Sequence, residues 1–454
     1  MSQEMMSEIV QKIDSGEVDT VLVCLVDMQG RLMGKRFHAR NFIKYAIQET
    51  HCCNYLLATD LEMSTPGGYR SSSWENGYGD YTMHPDITTF RMVPWLEGTA
   101  MVLCDIIDHH THAPVAHSPR QILKRQVERL AALGGYEAMM ATELEFFLFE
   151  GTADENRKNG FRNITPVGGF NQDYHIFQTT KEEPVMRRLR NSLYAAGIEV
   201  ECTKGEAEMG QEELNLRYGP AMLCAEQHTI AKHATKEIAW QQGVSATFLP
   251  KWRADKVGSS SHIHCSLFKD GANAFHDKNR PLGMSKLMDH FVAGLLRYAP
   301  EYTYFMAPNI NSYKRFRKGT FAPTKVVWSV DNRTAGFRLC GAESKAVRIE
   351  CRIAGSDVNP YLAQAALLAA GIKGIEEQLP LPQPTSGDLY GQKQIEEIPR
   401  TLRAATETLR HSAMLRDAMG DDVIDHYARA AEVEQEEFDA VVTDWEISRG
   451  FERC

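Results

Sequence analysis

The sequence predicts a two-domain protein mixing strands and helices: a small β-rich unit over residues 1–110, then one large unit over residues 111–454. Three observations carry this. Short apolar runs joined by turn signals dominate the first part. After Ser118, long helical stretches alternate with strands. Four of those later strands place charged side chains on one face and apolar side chains on the other.

Taken in order, residues Glu4–Gly16 read as a short amphipathic helix. Thr20–Asp27 and Leu32–Phe37 read as strands joined by the turn Met28-Gln29-Gly30-Arg31. Cys52–Leu61 and Met101–Ile107 add strand character. Between them, the Gly/Ser-rich, aromatic stretch Pro66–Asp86 is too polar for a core and reads as a long functional loop. His109–Pro119, with four histidines and two prolines, reads as a linker. Ser118-Pro119 is a helix start, serine at the cap and proline in the first turn, and this helix runs to Leu133. Helices are expected at Lys181–Ala196, Leu223–Gln242, Met284–Leu296 and Asn359–Gln378, and the charged tail Pro399–Asp444 is expected to be helical.

The chemistry starts at Ala141–Glu150, a buried strand bounded by Gly134-Gly135 and Gly151. Glu143 and Glu145 share one face, and Leu144, Phe146 and Leu148 the other. Two adjacent carboxylates on an apolar strand need positive charge over them, a pair of basic side chains or a divalent cation. The second stripe follows Gly205-Glu206, where Glu213, Asn215 and Arg217 share a face. The third holds His262, His264 and Ser266, and the fourth Arg348, Glu350 and Arg352. Singly, each stripe is as well read as a salt-bridge ladder or a hydrogen-bonded core histidine. Together the count favours a site. Five glutamates and a histidine are hard, mainly oxygen donors, suited to Mg²⁺ or Mn²⁺ rather than zinc. Arginines beside such ions are what phosphoryl transfer needs.

Composition excludes other classes. The chain has 43% hydrophobic and 24% charged residues and a net charge of −10, which favours neither nucleic acid nor an anionic membrane surface. The polar N-terminus does not read as a signal peptide. The longest apolar run, Tyr361–Ile372, is too short to span a bilayer. Ten scattered cysteines, with no Cys-x-x-Cys pair, fit reduced thiols in a cytoplasm. There is no Gly-x-x-x-x-Gly-Lys-Ser/Thr phosphate loop, so ATP would need another scaffold.

These motifs resemble those of the glutamine synthetase family: Thr-Glu-Leu-Glu-Phe-Phe, Glu-x-x-x-Gly-Gln-x-Glu, Gly-Ser-Ser-x-His-x-His-x-Ser-Leu, Ser-Tyr-Lys-Arg, Asn-Arg-Thr and Arg-Ile-Glu-x-Arg, then Asn359-Pro360-Tyr361-Leu362. They occur in the family's order over nearly the whole chain. The resemblance implies an α+β protein, an N-terminal β-grasp domain followed by a catalytic domain built on a bent antiparallel sheet with helices. It implies a homo-oligomer, a dodecamer of two hexameric rings with active sites between subunits. It implies ATP-dependent phosphorylation of the γ-carboxylate of L-glutamate and attack by a nitrogen on the γ-glutamyl phosphate, with two or three Mg²⁺ or Mn²⁺ per site.

By motif match, Glu145, Glu206 and Glu213 would hold one metal, and Glu143, His262 and Glu350 the second. Glu201, Tyr218, His264, Ser266, Arg338, Lys345 and Arg348 match nucleotide positions. Gly258, Arg315 and Arg352 match glutamate positions, and Arg333 would stabilise the transferring phosphoryl group. The departures point to one branch. Where ammonia-using members carry a proton-abstracting glutamate in the loop after Ser-Tyr-Lys-Arg, this chain has Phe321. Where they carry a tyrosine near the ammonium site, it has Phe170. The aspartate-containing ammonium motif has no clear counterpart in Leu61–Gly79. Losing carboxylates weakens the grip on ammonium, and aromatic surface favours a nitrogen with an apolar group. Phe-Ala-Pro-Thr and Trp328-Ser-Val-Asp-Asn-Arg also resemble the γ-glutamylamine synthetases. A primary amine is the expected co-substrate, with Phe170 and Phe321 lining its pocket. A diamine would need an acidic group for its far end, and Glu208, Glu212 or residues of Pro66–Asp86 could serve. Tyr390, near where some bacterial members are adenylylated, is expected as an exposed loop tyrosine.

Overall fold

Strand Thr20–Val26, buried after its first residue, sits inside a five-stranded sheet in a computed structural model that describes residues 3–454; Met1 and Ser2 of the polar N-terminal reading lie outside the described residues. The order across the sheet is Leu32–His38, Thr20–Val26, Thr99–Asp108, Asp80–Met92 and Thr50–Cys53. Thr20–Val26 and Thr99–Asp108 run parallel; the other neighbours are antiparallel. The first hairpin forms as expected, Asp27 accepting from the backbone of Gln29 and Arg31 across its turn. Two expectations are corrected here. The Cys52–Leu61 strand ends at Cys53 and continues as a 3₁₀ turn over Asn54–Leu57. The loop ends earlier than expected, because Asp80–Met92 is a strand. Its alternation is interrupted by Pro85 and a register shift after Asp86, which hid it.

The helix Pro119–Gly134 then leads into a ten-stranded sheet. Its main path runs Trp328–Val330, Phe337–Cys340, Arg348–Cys351, Ser261–Lys269, Glu137–Glu150, Gln211–Leu216 and Val200–Gly205. All pairs on this path are antiparallel except Trp328–Val330 with Phe337–Cys340, which is parallel. The α+β class is as expected, with that one pair departing from an all-antiparallel sheet.

The sheet's apolar side makes the core. Leu144, Phe146 and Leu148 pack with Leu214, Leu216 and with Ile230, Ala234 and Ile238 of helix Ala221–Gln241. Ile263, Cys265, Ile349 and Phe337 pack under helices Lys286–Met306 and Pro360–Glu376. Pro360–Glu376 is apolar on nearly every side, as a helix buried all round must be. No helix among the described residues is long and apolar enough to cross a membrane. The expected helical tail is three helices, Leu402–Arg410, Ala413–Met419 and Asp421–Asp439, followed by Asp444–Gly450. All ten cysteines are free thiols.

Two polar ties hold the small sheet to the large one. Arg120 is buried and donates to Asp86 at 2.8 Å, Asp105 at 3.2 Å and Glu226 at 2.6 Å. Asn359, at the cap of Pro360–Glu376, donates to the carbonyls of Asp27 and Met28.

Candidate active site

Strand register assembles the polar face. Glu143 stands opposite His262 on one side and Asn215 on the other, and Glu145 stands opposite Glu213. His264 stands opposite Glu350, and Glu350 opposite Arg338. Directly opposed residues share a face with Cβ atoms about 4.5–5.5 Å apart. Stripes distant in sequence therefore become one surface, and it lines a cavity of about 510 Å³.

Oxygens of Glu145, Glu206 and Glu213 lie within 4.8 Å of one another. Burial, with Glu206 and Glu213 beside it, pushes the Glu145 carboxyl well up, although Ser260 N–H donates to it at 2.7 Å. Burial, with Glu206 and Glu143 beside it, pushes Glu213 up to about 8. One cation, Lys204, bonds Glu206. A carboxylate trio held this close is relieved by a divalent ion, so these residues fit one.

A second group, Glu143, His264 and Glu350, is equally tight. His262 belongs beside it, its Nδ1 lying 2.8 Å from Glu143 and 3.5 Å from Glu350. Its Nε2 is buried with no hydrogen-bond partner among the described residues. The nitrogen turned toward the Glu143 and Glu350 oxygens is Nδ1, so Nδ1 is the atom placed to share an ion with them. Burial opposes ionisation of Glu143, but hydrogen bonds from His262 and His264 carry its carboxyl well below the usual range. Burial likewise opposes ionisation of Glu350, and Arg352 with the two imidazoles holds it low.

The opposite wall is basic. Arg352 Nη1 donates to Glu350 at 2.5 Å and Arg338 Nη1 at 3.0 Å. Arg315 is fully buried, donating to Ser260 Oγ at 2.9 Å and to the Ile353 carbonyl. Burial lowers it to about 10 despite Glu145 nearby. Arg333 and Phe321 also line this cavity. At Gly258 a Cβ would stand 2.4 Å from Arg315 Cγ and 2.5 Å from the Pro250 carbonyl, so a side chain there would displace that arginine.

A second cavity, about 890 Å³, takes in Glu201, Tyr218, His264, Ser266, Lys345 and Arg348. Arg348 Nε donates to His264 Nδ1 at 3.2 Å, which orients the ring toward Glu143. Glu143, Tyr174, Lys204 and Glu213 belong to both walls, so the cavities abut. Arg338 faces the carboxylate cavity instead of this one.

Three expectations change. Phe170 does not reach the wall that carries Phe321: it is half exposed and edge-on to His175 at 5.3 Å, because the Gly168-Gly169 bend turns it outward. Tyr390 is not a plain exposed loop residue: its hydroxyl is buried, and its phenol lies near Arg352 and Arg315. Glu212 points away from the cavity and is buried against Gln172 and Glu182, while Glu208 pairs with Lys256 at 3.1 Å. The sequence reading also missed Tyr174 and Lys204, which meet as a cation over a ring at 4.5 Å. A lysine ending a strand just before Glu206 was the available signal for Lys204. Tyr174 had none, since it enters through a left-handed turn at φ 55°.

Residues 116–450 match the family model described as glutamine synthetase, catalytic domain. The chain belongs to the glutamine synthetase family. As a member of the glutamine synthetase family, it is one of a group of enzymes that use ATP, glutamate and divalent metal ions. It is 46% identical to the gamma-glutamylethanolamide synthetase of Streptomyces coelicolor over 98% of this chain and 95% of that one. It is 34% identical to the glutamate–isopropylamine ligase of a Pseudomonas species over 99% of both. It is 36% identical to the glutamine synthetase of Thermus thermophilus over 82% of this chain and 84% of that one. Among solved structures, an ADP complex of GmaS superposes with a TM-score of 0.85 at 25% identity, covering 98% of this chain and 99% of that one.

Proposed function

We infer that the protein is an ATP-dependent ligase that joins the γ-carboxylate of L-glutamate to a primary amine through γ-glutamyl phosphate. The observation that carries this reading is Phe321 on the wall it shares with Arg333, an aromatic side chain where a base for ammonium would stand. The two amine ligases among its relatives support it.

In this reading Glu145, Glu206 and Glu213 hold one divalent ion, and Glu143, His262 and Glu350 a second, Mg²⁺ or Mn²⁺ by their oxygen-rich donor set. Such ions supply neutralisation of charge on phosphoryl oxygens. The larger cavity takes ATP, with Tyr218 beside the base and Arg348 and Lys345 toward the phosphates. Arg315 and Arg352 hold glutamate against the Gly258 backbone. Arg333, held by no hydrogen bond or ion pair among the described residues, neutralises the transferring phosphoryl group. Phe321 covers the approach of the amine and displaces water that would hydrolyse the acyl phosphate.

The reading extends to a β-grasp domain over 1–110, a catalytic domain over 111–454, a cytoplasmic location, and a dodecamer of two hexameric rings with sites between subunits. Support for assembly comes from large apolar side chains bare in the single chain, Trp74 at 81% and Phe451 at 84% exposure.

The test is phosphate release from ATP and glutamate with Mg²⁺ across ethanolamine, isopropylamine, methylamine, putrescine, aniline and ammonium. Turnover with an organic amine well above ammonium is expected, with ethanolamine first. Equal or better turnover with ammonium would return the protein to the ammonia-using enzymes.

A further inference from the structure

A third cavity, of about 760 Å³, lies in the seam between the two sheets and shares no lining residue with the two active-site cavities. The Met28–Leu32 turn closes it on one side and helix Ala221–Gln241 on the other. Its volume and its place between two structural units are those of a small-molecule site.

Its lysines stand outside ion pairs. Lys232 and Lys236 stand one helical turn apart on the face that lines it, and Lys314 stands on another wall. Among the described residues none of the three has a carboxylate within ion-pair distance. Lys232 donates to the carbonyls of Ser356 at 2.8 Å and Val358 at 3.2 Å. Burial, with Lys236 beside it, lowers Lys232 to about 7, against the pull of Asp357. The wall's own acids are engaged by other donors. Asp357 accepts from Asn309 at 2.8 Å and Ser312 at 2.6 Å, Glu434 from the Ile310 N–H at 3.1 Å, and Asp60 from the Ser64 N–H at 2.7 Å. The one arginine in the wall, Arg31, is held by Asp27.

The apolar lining is aromatic. Phe248 lies 5.3 Å from Lys232 and 5.8 Å from Lys236, measured to the ring centre. Phe438 lies 5.2 Å from Lys314. Lysines with no carboxylate in direct contact, set between aromatic rings, suit a ligand with an anionic head and a flat apolar body. We propose that this seam is a binding site for an aromatic carboxylate that acts as an effector of the enzyme.

The backbone held by Lys232 supplies the coupling to the active site. Lys232 fixes the Ser356–Val358 backbone, Ser356 N–H donates to the Ser259 carbonyl, and Ser259 N–H donates to the Pro250 carbonyl. Gly258 and Arg315 lie at that same junction. A carboxylate drawing Lys232 toward the cavity loosens this link and shifts the glutamate subsite.

The test is equilibrium dialysis of radiolabelled benzoate against the assembled enzyme, with ATP saturating the active site. Saturable binding of one benzoate per chain is expected. Lys236→Gln and Lys314→Gln should each weaken it by about tenfold while basal turnover is kept. In the same series benzoate should shift the KM for glutamate of the unaltered enzyme and not of the variants. Binding is read without turnover, so it stands or falls apart from the ligase reading, on which only the KM arm rests. The proposal is overturned by absence of saturable binding or by full binding in both variants. It is also overturned if inorganic phosphate occupies the site and benzoate does not. Dissociation of the assembly in Lys236→Gln would overturn it too, by showing that a second copy supplies the missing carboxylate.

Discussion

His262 Nδ1 lies 2.8 Å from Oε2 of Glu143, the residue directly across the sheet from it, while the other nitrogen of the ring is buried without a partner among the described residues. The neighbouring carboxylate trio carries the matching electrostatic strain, Glu213 being pushed up to about 8 by burial and its acidic neighbours. At pH 7 the metal-free protein therefore holds a proton there. Titration with Mg²⁺ in weak buffer should release at least one proton per chain, since the Glu145 carboxyl of the same trio is raised too. The stability change has a defined sign. A carboxyl raised above its unfolded value of 4.5 stabilises fully below that pH and loses the contribution as pH rises through about 8. Metal-free protein should lose thermal stability across this window, and saturating Mg²⁺ should remove the slope. Silent titration with a flat profile would place the metal elsewhere.

Arg333 lines the carboxylate cavity from an exposed position, with no ion pair or hydrogen bond among the described residues to hold it. Arg333→Ala should leave the unfolding midpoint nearly unchanged, within about 0.5 kcal/mol as for other exposed positions. It should reduce kcat by about 10²–10³, the usual scale for removing one preorganised group from developing charge. A loss confined to the KM for glutamate would assign it to binding instead.

Phe321 sits at φ 54°, a left-handed conformation uncommon for an aromatic residue, and its ring is half exposed at the cavity wall. Phe321→Glu should move the ratio of amine to ammonium turnover toward ammonium by about tenfold, one unit of differential transition-state binding. The comparison is made on kcat/KM for each nitrogen source in one preparation. An unchanged ratio would mean that the side chain at 321 does not choose the nitrogen.

Arg120 joins Asp86 and Asp105 of the small sheet to Glu226 under the large one. Arg120→Met keeps much of the volume and strands Asp86 and Glu226, while Asp105 keeps Lys124. Removing one partner from a buried charge network costs about 3–5 kcal/mol. Urea unfolding should register that loss, with separate transitions for the two sheets where the unaltered protein has one. A loss below 1 kcal/mol on that scale would show that water replaces the guanidinium.

The polar stripes were legible because strand alternation is a local rule. Glu143 with Glu145, and His262 with His264, needed only period-two spacing to be put on one face. What opposes what was not local. That Glu145 meets Glu213, or that Glu350 lies between His264 and Arg338, is set by register between segments up to 86 residues apart. Asp80–Met92 was missed because a proline and a bulge break its alternation. Phe170 was misplaced because motif spacing says nothing of the direction in which a double-glycine bend sends the next side chain. The burial of Tyr390 follows from its segment lying along the Phe321–Arg333 loop, with Val326 bonded to Glu396, Ile398 to Thr324 and Leu389 to Thr334. No local pattern announces such a brace.

Glu143, Tyr174, Lys204 and Glu213 each face both active-site cavities. The partition between the chambers is thus one side chain thick and made largely of titratable groups. No insulating layer of protein separates an occupant of one chamber from an occupant of the other. A single inhibitor bridging the chambers, an adenine-bearing arm joined to an acidic amino-acid arm, would cross that partition without unfolding any backbone. It would collect contacts that natural ligands make only as separate molecules.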